Sequence, residues 1–129
     1  MNEFVTDTMA LVLRLERRKS GPQAKSLFDA AQRGETVIQV PSLVCAEILY
    51  LFEKGRIKTS LDQLENYLAQ SPNIKECPMS FAMIQAAANI DDIRELHDRL
   101  IAGTAVYLGV PLITNDPVII ASRFVKTVW

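Results

Sequence analysis

The sequence has little of what several protein classes require. It holds two cysteines, Cys45 and Cys77, and one histidine, His97, in 129 residues. Two thiols without metal-ligand spacing exclude a disulfide-dense scaffold, and both read as reduced, structural residues. One histidine excludes a multi-histidine zinc or copper centre. No apolar run approaches the about 20 residues that span a bilayer. The opening residues lack the basic and apolar blocks of a signal peptide, so a soluble, cytoplasmic protein is expected. Neither charge dominates: 14 Lys and Arg stand against 15 Asp and Glu, a net charge of −1. That balance argues against indiscriminate binding of polyanions, but a bound metal can supply positive charge of its own. There is no internal repeat, low-complexity tract or linker, and residues 1–129 read as a single domain.

What is present is an alternation of strands and helices. Glu3–Thr6 is a short β-rich run ending at Asp7, and Met9–Arg18 has helical spacing. Ser20-Gly21-Pro22 breaks that helix and opens a second, which closes at Arg33-Gly34. Thr36–Val40 is the next strand. Ser42 suits the N-cap of a helix running through Lys54-Gly55. Thr59 or Ser60 caps an amphipathic helix over Leu61, Leu64 and Leu68. Ile74–Cys77 is a weak strand and Ser80–Ile90 an alanine-rich helix. Asp91–His97 reads as an acidic connector, with Asp91 and Asp92 as solvated connector residues or a helix C-terminal loop. Asp98–Leu108 is a helix with Gly109 at C′, Val110–Thr114 a fourth strand, and Lys126–Trp129 a fifth. No tight hairpin signal occurs. The pattern predicts an α/β fold, with a mainly parallel sheet of four to five strands between helical layers.

Ligands of such sheets collect beyond the carboxyl ends of the strands. Asp7 follows the first strand, Asp116 follows the fourth, and Asp98 opens the helix leading into the fourth. Each has an innocent reading: Asp7 and Asp98 as helix caps, Asp116 before Pro117 as an Asx turn. Glu47 admits two placements. Leu43 and Leu51 put it beside an apolar stripe, where a carboxylate needs a partner or a cation. A stripe centred on Val44, Ile48 and Phe52 would instead leave it in solvent. Three acids at one sheet edge repel each other, and a hard divalent cation relieves that cost. Oxygen-only ligands favour Mg²⁺ or Mn²⁺, and with them phosphoryl chemistry. The basic groups Arg14, Arg17, Arg18, Lys19 and Lys54, Arg56, Lys58 read either as solvated helix ends or as contacts to an RNA backbone.

Four segments carry a family resemblance: Phe4-Val5-Thr6-Asp7-Thr8, Val40-Pro41-Ser42 through Glu47-Ile48-Leu49, His97-Asp98-Arg99-Leu100-Ile101-Ala102, and Leu112-Ile113-Thr114-Asn115-Asp116. In order and spacing the chain resembles PIN domains (PilT N-terminal), in particular VapC-type toxins of toxin–antitoxin pairs. That resemblance implies an α/β/α sandwich and a Mg²⁺- or Mn²⁺-dependent ribonuclease holding one or two ions with Asp7, Glu47, Asp98 and Asp116. It implies that Thr114, and less specifically Thr8 and Asn115, support the site. It also implies an RNA substrate, a cognate antitoxin and a homodimer, for which the helices over Leu43–Phe52 and Leu61–Leu68 offer apolar faces. His97 reads as a helix-entry residue bonded locally, with a supporting or leaving-group role as the alternative. Other classes remain in view. A receiver would want paired acids near its start, and a haloacid-dehalogenase-type phosphatase would want Asp-x-Asp where this chain has Asp7-Thr8-Met9. A silent PIN-like binding module would keep the fold without turnover.

Overall fold

The structure is a computed structural model that describes residues 2–129. Among the described residues five strands form one sheet: β1 Glu3–Thr6, β2 Val37–Pro41, β3 Ile74–Cys77, β4 Leu112–Ile113 and β5 Thr127–Val128. Their order is β3-β2-β1-β4-β5 and every pairing is parallel. Parallel strands need crossovers, and seven helices among the described residues provide them or cap their ends: α1 Thr8–Leu15, α2 Pro22–Gln32, α3 Ser42–Glu53, α4 Leu61–Gln70, α5 Phe81–Ala88, α6 Leu96–Leu108 and α7 Pro117–Ile120.

The strands are short, and the central ones are buried on both faces. Val5, Ile38, Val40, Leu112 and Ile113 are all fully buried. Helices contribute Leu11, Phe28, Ile48 and Ile101 to the same core. This is the alternation expected of a three-layer α/β/α arrangement. The chain walks outward from β1 through β2 to β3, then returns to the other side of β1 as β4. The order therefore reverses between β1 and β4, where sheets of this kind leave a crevice.

Several boundaries differ from the sequence reading. α1 stops at Leu15, not Arg18: Glu16 is its C-cap, and Arg17 takes a left-handed φ of 54°. Ser42 is the first residue of α3 and caps nothing there; its hydroxyl accepts from the Met79 N–H at 3.1 Å. α6 begins two residues before Asp98, because the Glu95 carboxylate caps it by accepting from the Asp98 N–H at 2.7 Å. Asp92 lies in the loop after the C-terminus of α5 and is bonded there instead of simply solvated. It accepts from the Ser122 hydroxyl and the Arg123 N–H, both at 2.8 Å, and so pins the chain after α7. α7 itself was not anticipated; four residues carry too little periodicity to show. Among the described residues, no helix is long and apolar enough to cross a membrane.

Candidate active site

Asp7 leaves β1 as the N-cap of α1. One carboxylate oxygen accepts from the Ala10 N–H at 2.8 Å, and the other accepts from the Thr114 hydroxyl at 2.5 Å. Thr114 is fully buried directly after β4, and its oxygen also accepts from the Asp116 N–H at 3.1 Å. One hydroxyl therefore ties the exits of β1 and β4 together across the reversal point. Asp116 caps α7, with one oxygen accepting from Val118 at 2.8 Å and Ile119 at 3.3 Å. A cap on one oxygen leaves the second free for a ligand. Asp7 therefore caps its helix as one reading has it, and Asp116, read as an Asx-turn residue, caps α7.

Glu47 lies beside an apolar stripe, the first of its two expected placements. Val44 and Ile48 form the buried stripe of α3, while Phe52 is 44% exposed. Glu47 sits on the flank of that stripe with Leu51, and both line the cavity. The Thr8 hydroxyl donates to Glu47 Oε1 at 2.6 Å, a link between α1 and α3. Asp98 lies in the first turn of α6. Since Glu95 has taken over the capping, the Asp98 side chain is free to face the same space.

Asp7, Glu47, Asp98 and Asp116 line one cavity of about 440 Å³ with Thr8 and Asn115, against a wall that includes Met9, Leu13, Leu51, Ile101 and Trp129. The apolar wall was not legible in the sequence. Trp129 in particular arrives from the end of β5, the far edge of the sheet, and no spacing signals it. His97 does not line the cavity. It is half exposed and its Nδ1 stands 3.1 Å from Glu95 Oε1, the local bond that a helix-entry residue makes.

The electrostatics are those of crowded carboxylates. Burial pushes Asp7 up to about 6; the Thr114 and Ala10 hydrogen bonds oppose it, and the charges of Asp116 and Glu47 add to it. Asp98 is also raised to about 6, first by burial, then by Asp116, Glu95, Glu47 and Asp7. The neighbouring carboxylates that line the same pocket thus add to the effect of burial on Asp7 and Asp98. Among the described residues, no group of three or more His, Cys, Asp or Glu side chains is placed to hold a metal ion together. The donor set still fits a hard cation of the Mg²⁺ type, which keeps several waters and needs only one or two carboxylates. A cation would also remove the repulsion that lifts Asp7 and Asp98.

Fold and site together define a small parallel α/β domain with an acid-lined crevice at its strand-order reversal. The chain belongs to the PIN domain family, whose profile matches residues 4–123. No curated protein matches the sequence. Solved structures share the fold at low identity. VapBC2 from Rickettsia felis, bound to a DNA fragment from its promoter, aligns with a TM-score of 0.75 at 16% identity, covering 98% of each chain. DNA-bound VapBC from Salmonella typhimurium aligns at 0.72 and 14%, over 99% of this chain and 98% of that one. FitAcB from Neisseria gonorrhoeae aligns at 0.64 and 16%, over 96% and 95%.

Proposed function

We propose that this chain is a Mg²⁺- or Mn²⁺-dependent endoribonuclease and the toxin of a toxin–antitoxin pair, acting in the cytoplasm. The observation that carries the reading is the convergence of Asp7, Glu47, Asp98 and Asp116 on one cavity. Family membership supports nuclease chemistry. The structures sharing the fold include a toxin–antitoxin complex from Klebsiella pneumoniae, which supports an antitoxin partner. A homodimer belongs to the same proposal; Leu49, Tyr50 and Phe52 on α3 and Leu61 on α4 are exposed and give it apolar surface. Gel filtration with cross-linking tests that part.

Asp7, Asp98, Asp116 and Glu47 would hold the cation. When bound, such an ion lowers the pKa of a water and offsets charge on phosphate oxygens. The remaining work falls to the protein. Thr114 keeps one oxygen of Asp7 fixed, so that the Asp7 and Asp116 carboxylates keep a constant spacing. Thr8 holds Oε1 of Glu47 and leaves Oε2 to take a cation or orient the attacking water. Leu13, Leu51, Ile101 and Trp129 lower the dielectric around the acids, which strengthens every charge interaction there. Attack by a water activated in this way would need no ribose 2′-hydroxyl as nucleophile, so a preference for RNA would arise from binding.

The test is cleavage of fluorescent single-stranded RNA with Mn²⁺, Mg²⁺ or EDTA, comparing wild type with Asp7→Asn. Asn remains a competent N-cap, so the variant should fold while losing about 100-fold or more in rate. Cleavage that survives EDTA, or survives Asp7→Asn, would defeat the proposal. A folded wild type that cleaves no RNA with either metal would be a binding module.

A further inference from the structure

The acid cavity is a poor landing place for a polyanion, and the whole chain carries a net charge of −1. Next to it lies a second cleft of about 760 Å³ between α1, the start of α2 and α4. Leu13 lines both, so the two adjoin. Arg14, Arg17, Arg18, Lys19 and Lys25 line the second cleft, and no carboxylate does. Not all five cations are available. Asp29 holds Arg14 at 2.7 Å and Lys25 at 2.9 Å. Glu16 Oε1 pairs with Arg18 at 3.4 Å, while its other oxygen accepts from Lys58 and Thr59. Arg17 and Lys19 are exposed and have no acidic partner among the described residues.

Arg17 also occupies a costly backbone position. The Arg18 N–H donates to Leu13 O at 2.8 Å and the Arg17 N–H to Arg14 O at 3.2 Å, which is a Schellman ending with Arg17 at C′. The same pair of bonds closes α2, α3 and α6, and there the left-handed residue is Gly34, Gly55 and Gly109. A side chain at positive φ is strained where glycine is not. One helix end in four therefore gives up the favourable residue, and it is the one that points a cation into the basic cleft. Strain kept at a surface position suggests that its side chain has a use.

We propose that this cleft binds the sugar-phosphate backbone of the single-stranded RNA whose scissile phosphate enters the acid cavity, with Arg17 and Lys19 as principal contacts. The proposal rests on the nuclease reading and extends it. Asp7 and Arg14 stand at opposite ends of α1, about 10 Å apart along its axis. Phosphates flanking the cut would thus lie over cations while the cut itself lies over the acids.

The experiment is anisotropy of a fluorescein-labelled single-stranded RNA in EDTA, where no metal-dependent cleavage occurs, across a salt series. Arg17→Gly with Lys19→Ser should weaken binding about tenfold and shrink the log–log salt slope by about 1.4, or 0.7 per lost contact. A charge-matched pair, Lys75→Ser with Lys126→Ser, lies outside the cleft and should leave the slope nearly unchanged. Arg17→Gly alone should raise Tm by about 3 °C while weakening RNA binding. A structural role for Arg17 predicts a fall in Tm instead, and that fall would overturn the proposal. So would an unchanged slope, or binding of a labelled acidic peptide without binding of RNA, which would assign the cleft to a protein partner. The two readings fail separately. RNA held by the cleft but never cut sinks the nuclease alone. Mn²⁺-dependent cleavage with an unaltered KM in the Arg17→Gly, Lys19→Ser variant sinks the cleft alone.

Discussion

Thr8 and Glu47 are 39 positions apart in the chain and 2.6 Å apart in space. That hydrogen bond makes Thr8 a positioning residue. Thr8→Val should fold, since its shape is kept, but weaken Mn²⁺ affinity about 10-fold, the lower end for lost supporting contacts of metal sites. Thr8→Ser should restore affinity; isothermal titration with Mn²⁺ reads both. Asp98 shows the opposite balance. Its negative charge near the start of α6 is worth some tenths of a kcal/mol to the helix, yet burial and four neighbouring acids outweigh that and raise it to about 6. Asp98→Asn should therefore raise the Tm of the metal-free protein at neutral pH and reduce the further rise that Mn²⁺ produces. A large loss of metal-free stability would show that the Asp98 carboxylate supports the helix more than it is repelled.

At the scale of elements, α5 and α6 make the closest helix contact, and Gly103 allows it. A Cβ there would come within 2.8 Å of the Ala87 backbone. Gly103→Ala should destabilise by about 1–3 kcal/mol in urea unfolding, against the small gain that alanine brings to an exposed helix. If the variant instead gains stability, α6 has room to move, and Asp98 is not firmly placed. The long elements were legible from sequence because they carry full turns of apolar spacing, as in α2 over Ala24, Phe28 and Ala31. The short ones were not. β4 was expected over Val110–Thr114 but pairs only at Leu112–Ile113, and β5 pairs only at Thr127–Val128. Strand pairing is decided by the neighbour, which no local pattern encodes. Glu95 was missed as a cap because it lay within an acidic run whose members look alike.

For the molecule as a whole, Asp7 and Asp98 together set a pH dependence. Both have folded pKa values of about 6, above the unfolded value of 3.8. The native state therefore binds more protons than the unfolded state between these values. Their contribution to stability is complete below about pH 4 and is lost as pH rises through 6. In EDTA, Tm corrected by an Asp98→Asn reference should fall across that window. With saturating Mn²⁺ the fall should shrink or reverse, because cation binding favours the ionised acids. A pH-independent difference between the two proteins would show that Asp98 is not coupled to its neighbours.

Alternating apolar patterns, caps and turn residues determined the α/β class, the parallel sheet and the acids at its edge, because these depend on local periodicity and chain order. The order and spacing of Asp7, Glu47, Asp98 and Asp116 also marked the PIN family in the linear text. Only the tertiary structure decided that Thr114 bridges β1 to β4, that Thr8 holds Glu47, and that Trp129 walls the cavity. It also decided that Arg17 takes a left-handed position in the basic cleft. Those are contacts between residues remote in sequence, and their energies depend on distance and burial, which a one-dimensional pattern does not contain.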